Sequence, residues 1–127
     1  MEFLLDTHAF LWYLLGDSNL SSKAKEAIDT KTGWYFSIAS LWEISIKINL
    51  GKLQLNRPFQ DLRLELQYIN IQLLPIAFED IQLYANLPLH HRDPFDRILV
   101  AQAMNHSLVL ISRDGAFDAY PVQRLWS

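Results

Sequence analysis

The sequence predicts an α/β protein, a three-layer α/β/α sandwich around a mostly parallel sheet of about five strands. Short apolar runs alternate with longer helical patterns along the 127 residues, as strand–helix–strand units require. The first run, Phe3-Leu4-Leu5, is apolar throughout, which suits a strand covered on both faces. Gly, Pro and short polar turns separate the elements and mark where each one stops.

Glu2 to Asp6 reads as the first strand. Thr7 to Leu15 follows as a helix, with Phe10, Leu11, Trp12, Leu14 and Leu15 crowding one side and Gly16 ending it. Asp17-Ser18-Asn19 makes a turn, and Ser21 or Ser22 caps a second helix running to about Lys31. Trp34 to Ser37 has the aromatic content of a strand. Ala39 to Leu50 is an amphipathic helix closed by Gly51. Pro58 suits the first turn of a helix over Phe59 to Tyr68. Ile71 to Ile76 is the third strand, Glu79 to Leu87 a helix, and Asp93-Pro94 opens another over Phe95 to His106. Leu108 to Ser112 and Val122 to Trp126 complete the sheet.

Composition narrows the function classes. Half the residues are hydrophobic and 13% are aromatic, so disorder is excluded and residues 1–127 are read as one domain. The chain has no cysteine, which removes disulfides, a thiolate nucleophile and a sulfur-bound zinc site together. No apolar run approaches the roughly 20 residues that span a bilayer, and the N-terminus carries no leader pattern. The expected setting is cytoplasmic, with no membrane partner. The net charge of −3 disfavours nucleic acid at first sight. Setting aside the acids considered next leaves the remainder close to balance.

Asp6, Glu43, Asp96 and Asp114 each stand at or just past an apolar run, where a strand ends or a helix begins. Each has an ordinary explanation. Asp6 can cap the helix from Thr7, and Ser40-Leu41-Trp42-Glu43 fits a capping box. Asp93 can be an N-cap with Pro94 at N1 and Asp96 at N3, while Asp114-Gly115 can form a turn. Together they say more, because a parallel sheet gathers its strand ends and the following helix starts on one edge. Ionised carboxylates brought close there repel one another and attract Mg²⁺ or Mn²⁺, ions that take oxygen donors and bind phosphates.

The segments LLDTHAFLW, SLWEISIKINLGKL, HHRDPFDRILVAQA and LVLISRD resemble the PIN-domain ribonucleases, most closely the VapC-type toxins of type II toxin–antitoxin pairs. Order, spacing and strand–helix context agree from Phe3 to about Trp126. The resemblance implies a metal-holding quartet at Asp6, Glu43, Asp96 and Asp114, with Thr7 and Ser112 in supporting positions. It implies a parallel sheet with helices on both faces and one or two Mg²⁺ or Mn²⁺ ions. The activity it implies is hydrolysis of RNA by an activated water, leaving a 3′-hydroxyl and a 5′-phosphate. A cognate antitoxin and a homodimer are the partners it implies. Between Asp93 and Asp96, the pattern D-R-x-L-x-x-A-x-A places Asp96 in the quartet and leaves Asp93 as N-cap or outer acid.

Lys47, Arg92, Arg97 and Arg113 stand near the acids and are the candidate RNA phosphate contacts. Lys47 follows Glu43 by one turn, so an i,i+4 ion pair is its ordinary role. His90 and His91 are read as loop polarity, since adjacent histidines rarely face one ion. His8 is read as a packing or hydrogen-bonding residue, and Asp118 as surface. Trp12, Tyr13, Trp34, Trp42 and Tyr84 are core by default, with a groove for an apolar partner helix as the alternative. One rival is a phosphohydrolase with Asp6 as covalent nucleophile, but such enzymes place a second acid where His8 stands. The other is a PIN-like module that binds RNA or protein without cutting; retention of all four acids argues for activity.

Overall fold

Five strands, all parallel, form one sheet in the order β3-β2-β1-β4-β5. They are β1 (Phe3–Leu5), β2 (Trp34–Ser37), β3 (Ile71–Leu74), β4 (Val109–Ile111) and β5 (Arg124–Leu125), seen in a computed structural model that describes residues 1–126. The helices are α1 (Thr7–Leu15), α2 (Ser22–Thr30), α3 (Ile38–Asn49), α4 (Asp61–Tyr68), α5 (Phe78–Ala85) and α6 (Pro94–His106). No described helix is long and apolar enough to cross a membrane.

Alternation along the strands explains the layers, because successive side chains point to opposite faces. Phe3 and Leu5, with Trp34, Phe36, Val109 and Ile111, pack against Ala9, Phe10, Ile28, Ile44, Leu62 and Leu66 of α1 to α4. Leu4 and Leu110 face the other way, onto Leu99, Val100 and Ala103 of α6. Both faces are covered, as an all-parallel sheet demands.

The chain steps from β1 to β2 to β3, then returns past β1 to form β4 on its other side. That reversal opens a crevice outside the carboxyl ends of β1 and β4, where ligands bind in open α/β sheets. Asp6 directly follows β1, and Ser112 directly follows β4.

Most boundaries follow local chemistry. Ser21 caps α2 by accepting the Ala24 amide at 3.1 Å, and Gly16 ends α1 with φ of 65°, a conformation that glycine adopts without steric cost. β3 stops at Leu74 rather than Ile76, because Pro75 has no amide to give the ladder. Three expectations need correction. α4 begins at Asp61, not beside Pro58: the Pro58 and Phe59 carbonyls accept the amides of Asp61 and Leu62, a tighter turn that leads into the helix. The N-cap of α3 is Ser37, whose Oγ accepts the Ala39 amide at 3.0 Å, so Ser40 and Glu43 do not form a capping box. Finally, Asp114-Gly115 begins a 3-10 helix over Gly115–Ala119 rather than a simple turn.

Candidate metal centre at the carboxyl edge of the sheet

Asp6 is buried and caps α1, its Oδ1 accepting the Ala9 amide at 2.7 Å. Burial raises its pKa above the usual carboxylate range; the Ser112 hydroxyl and the Ala9 amide pull it back, and the charge of Glu43 pushes it up again. Next to it, the buried Thr7 hydroxyl donates to Glu43 Oε1 at 2.7 Å. Glu43 lies in the second turn of α3, because the helix begins at Ile38. Its Oε2 pairs with Lys47 Nζ at 3.1 Å, the i,i+4 pairing that the sequence allows.

Asp93 is the N-cap of α6, its Oδ1 accepting from Phe95 at 2.8 Å and Asp96 at 3.4 Å. Asp96, in the first turn of α6, is turned elsewhere. Its pKa is pushed up to about 7, first by burial and then by the charge of Asp93; His91 opposes the rise, while Asp6 and Glu43 add to it. Charges from β1, α3 and α6 therefore act on one carboxyl. Asp114 caps the 3-10 helix, its Oδ1 accepting the Ala116 amide at 2.9 Å, and its own amide donates to Ser112 Oγ at 3.0 Å. Partial burial pulls the Asp114 pKa upward, but the Ala116 amide, His91 and Arg124 outweigh it and leave it low.

His91 joins the acids. Its Nε2 lies 3.3 Å from Asp96 Oδ2 and 3.1 Å from Asp114 Oδ2. Among the described residues, His91, Asp96 and Asp114 form the one set whose donor atoms all lie within 4.8 Å of one another. Asp6 and Glu43 stand outside that set and are coupled to it through their charge. The expectation for both histidines is loop polarity, and His90 lies edge-on to Tyr120 at 5.2 Å. The expectation fails for His91. Adjacent side chains do diverge here, and that divergence is what frees one of them to enter the site. The signal was its position in HHRDPFD, two residues before the cap of the helix carrying Asp96.

The basic residues separate sharply. Arg97 is buried, and its guanidinium donates to the carbonyls of Pro88 at 2.9 Å, His91 at 3.4 Å and Leu87 at 3.4 Å, and to the Tyr120 hydroxyl at 3.3 Å. It also lies over the Tyr84 ring at 4.8 Å. The expected phosphate contact is thus replaced by an anchor for the loop before α6. Arg92 and Arg113 are exposed. Arg113 lies 4.8 Å over the Trp12 ring and borders a groove with Asp6, His8, Trp12, Asp114 and Gly115. Asp118 pairs with Arg124 at 2.9 Å on the surface. Trp34 belongs to the core, whereas Trp42 is 61% exposed.

The carboxylate oxygens are hard donors suited to Mg²⁺ or Mn²⁺. Burial first, and then the charges of Asp93, Asp6 and Glu43, raise the Asp96 pKa, and a cation held there would favour its ionised form.

No curated protein matches the chain in sequence. Solved structures share its fold. VapBC2 from Rickettsia felis, bound to a DNA fragment from its promoter, superposes with a TM-score of 0.75 at 14% identity, over 100% of both chains. FitAcB from Neisseria gonorrhoeae gives 0.66 at 20% identity, over 97% of this chain and 96% of that one. A toxin–antitoxin complex from Klebsiella pneumoniae gives 0.66 at 20% identity, over 94% and 93%. The PIN domain pattern matches residues 3–123, nearly the whole of the fold that carries these acids, and the chain belongs to the PIN domain family.

Proposed function

We propose that this protein is a metal-dependent endoribonuclease serving as the toxin of a toxin–antitoxin pair. The observation that carries the reading is the gathering of acids at one sheet edge: donor atoms of His91, Asp96 and Asp114 lie within 4.8 Å of one another, and the charges of Asp93, Asp6 and Glu43 bear on Asp96. A fold that tolerates such repulsion without a cation gains little from it; a site that binds a divalent ion gains affinity. The PIN family membership and the toxin–antitoxin complex among the similar folds support the same reading.

Asp6, Glu43, Asp96 and Asp114 would hold Mg²⁺ or Mn²⁺, as one ion or two. When bound, such an ion lowers the pKa of water and offsets charge on a phosphate under attack. The remaining work falls to the chain. Thr7 fixes the rotamer of Glu43, and Ser112 holds the Asp114 amide and bears on Asp6. Asp93 keeps α6 in place as its cap. Arg113, on the groove that Asp6 and Asp114 line, and Arg92, likewise exposed, would meet the RNA backbone. Lys47 is engaged by Glu43 and serves to balance charge until substrate arrives. A homodimer and a small inhibitory antitoxin complete the reading; exposed Ile38 and Trp42 on α3 offer apolar surface for one of these contacts.

The test is cleavage of an end-labelled structured RNA by purified protein with Mn²⁺ or Mg²⁺. Cleavage that stops with EDTA and with Asp6→Asn supports the reading. Tight RNA binding without cleavage would instead establish a silent binding module. Cleavage undiminished by Asp6→Asn would remove the acid site from the reaction.

A further inference from the structure

We propose that His91 is the positioning residue of this site: one imidazole N–H, shared by Asp96 and Asp114, sets the spacing of two carboxylates carried on unconnected elements. The inference rests on the metal-binding reading above and adds to it a residue outside the four acids.

The ring's orientation follows from its partners. Nδ1 accepts the Asp93 amide at 3.3 Å, so the ring proton sits on Nε2. Nε2 hydrogen-bonds Asp114 Oδ2 at 3.1 Å and lies 3.3 Å from Asp96 Oδ2. Asp96 comes from the first turn of α6, and Asp114 from the turn after β4. Two carboxylates from separate elements repel each other, and a shared donor offsets that repulsion at a fixed distance. Direct ligation of the ion by Nε2 would instead need the proton on Nδ1, where it would face the Asp93 N–H.

The loop is built to keep the ring there. The imidazole stacks on Phe117 at 5.6 Å with planes 28° apart. Its backbone carbonyl, with those of Leu87 and Pro88, is held by the buried Arg97 guanidinium. Asp93 thus serves twice, capping α6 through its side chain and orienting His91 through its amide. Groups that hydrogen-bond metal ligands commonly change metal affinity by ~10–100-fold when removed.

Mn²⁺ affinity of the full chain, measured by calorimetry, tests this in the wild type, His91→Gln and His91→Met. The two variants are matched in shape, but only glutamine carries an N–H at the Nε2 position. The expected result is a loss of ~10–100-fold in His91→Met, with affinity recovered to within a few-fold in His91→Gln. Pulsed electron paramagnetic resonance of Mn²⁺ bound to the wild type should show no directly bonded imidazole nitrogen. Equal affinity in all three proteins overturns the inference and leaves the metal site standing. Equal loss in both variants, with a nitrogen signal that disappears in each, also overturns it and makes His91 a ligand. Failure of the wild type to bind Mn²⁺ defeats the underlying reading instead.

Discussion

The Thr7 hydroxyl and the Glu43 carboxylate meet at 2.7 Å, joining the first turn of α1 to the second turn of α3 inside a buried acidic site. The contact fixes Glu43 from one side while Lys47 holds its other oxygen at 3.1 Å. Thr7→Val keeps the shape of the side chain and removes the donor. Its expected cost is about 1–3 kcal/mol, the penalty of a buried acceptor left without its partner. Thr7→Ser should recover most of it. Urea midpoints at constant m-value measure both.

Asp96 gives the metal-free protein a definite pH dependence. Its pKa is near 3.9 in an unfolded chain and is raised to about 7 in the fold. Between those values the native state holds a proton that the unfolded chain has lost, so its contribution to stability falls as pH rises from about 4 to 7. Below pH 4 both states are protonated and the effect vanishes. Asp96→Asn should therefore stabilise the metal-free protein at pH 8, on the order of 2 kcal/mol after allowance for partial solvent screening. Near pH 4 the gain should disappear, as unfolding curves at both pH values would reveal.

Divalent ions should reverse the sign of that dependence. The ion needs Asp96 ionised, so Mn²⁺ affinity should climb as pH passes through about 7 and the site loses its proton. At an ion concentration of about 100 Kd the fold gains about 2.7 kcal/mol. Melting temperature should rise with added Mn²⁺, fall back on chelation, and respond little in Asp6→Asn.

Arg97 and Arg113 should fail in opposite ways. Arg97→Met leaves several loop carbonyls without their donor and removes a buried charge from its cradle, with an expected cost of about 2–4 kcal/mol. Amide exchange across residues 87–93 should quicken well before global unfolding. A mere surface role for Arg97 would leave both quantities unchanged.

Arg113→Ala, by contrast, should shift stability by no more than about 0.5 kcal/mol. RNA affinity should drop, and the slope of log affinity against log salt should shrink by about 1, the signature of a lost phosphate contact. Filter binding across a salt series reads both.

Much of the frame was legible because local chemistry decides it. Asp93-Pro94 predicts the start of α6, since Pro at N1 loses no hydrogen bond and Asp accepts the free amides. Gly16 and Ser21 mark helix ends for equally local reasons. The start of α3 was placed too late because Ser37 and Ser40 are both good caps by sequence. Only the end of β2 at Ser37 decides between them. The positions of Asp6, Asp96 and Asp114 at strand and helix ends were legible for the same local reasons. His91 and Arg97 were not, because their roles depend on how the loop of residues 86–93 folds back over the carboxyl edge. Arg97 in particular resembles any basic residue beside an acid until burial spends its donors on Leu87, Pro88 and His91.

The order of the strands has a consequence during synthesis. Asp6 leaves the ribosome more than a hundred residues ahead of its neighbour across the crevice, β4. An unfinished chain that lacks Val109–Asp114 has no second wall for the crevice and no Asp114 to help close it. The crevice edge that carries Asp6 therefore stays open on one side until β4 has been made and has paired with β1.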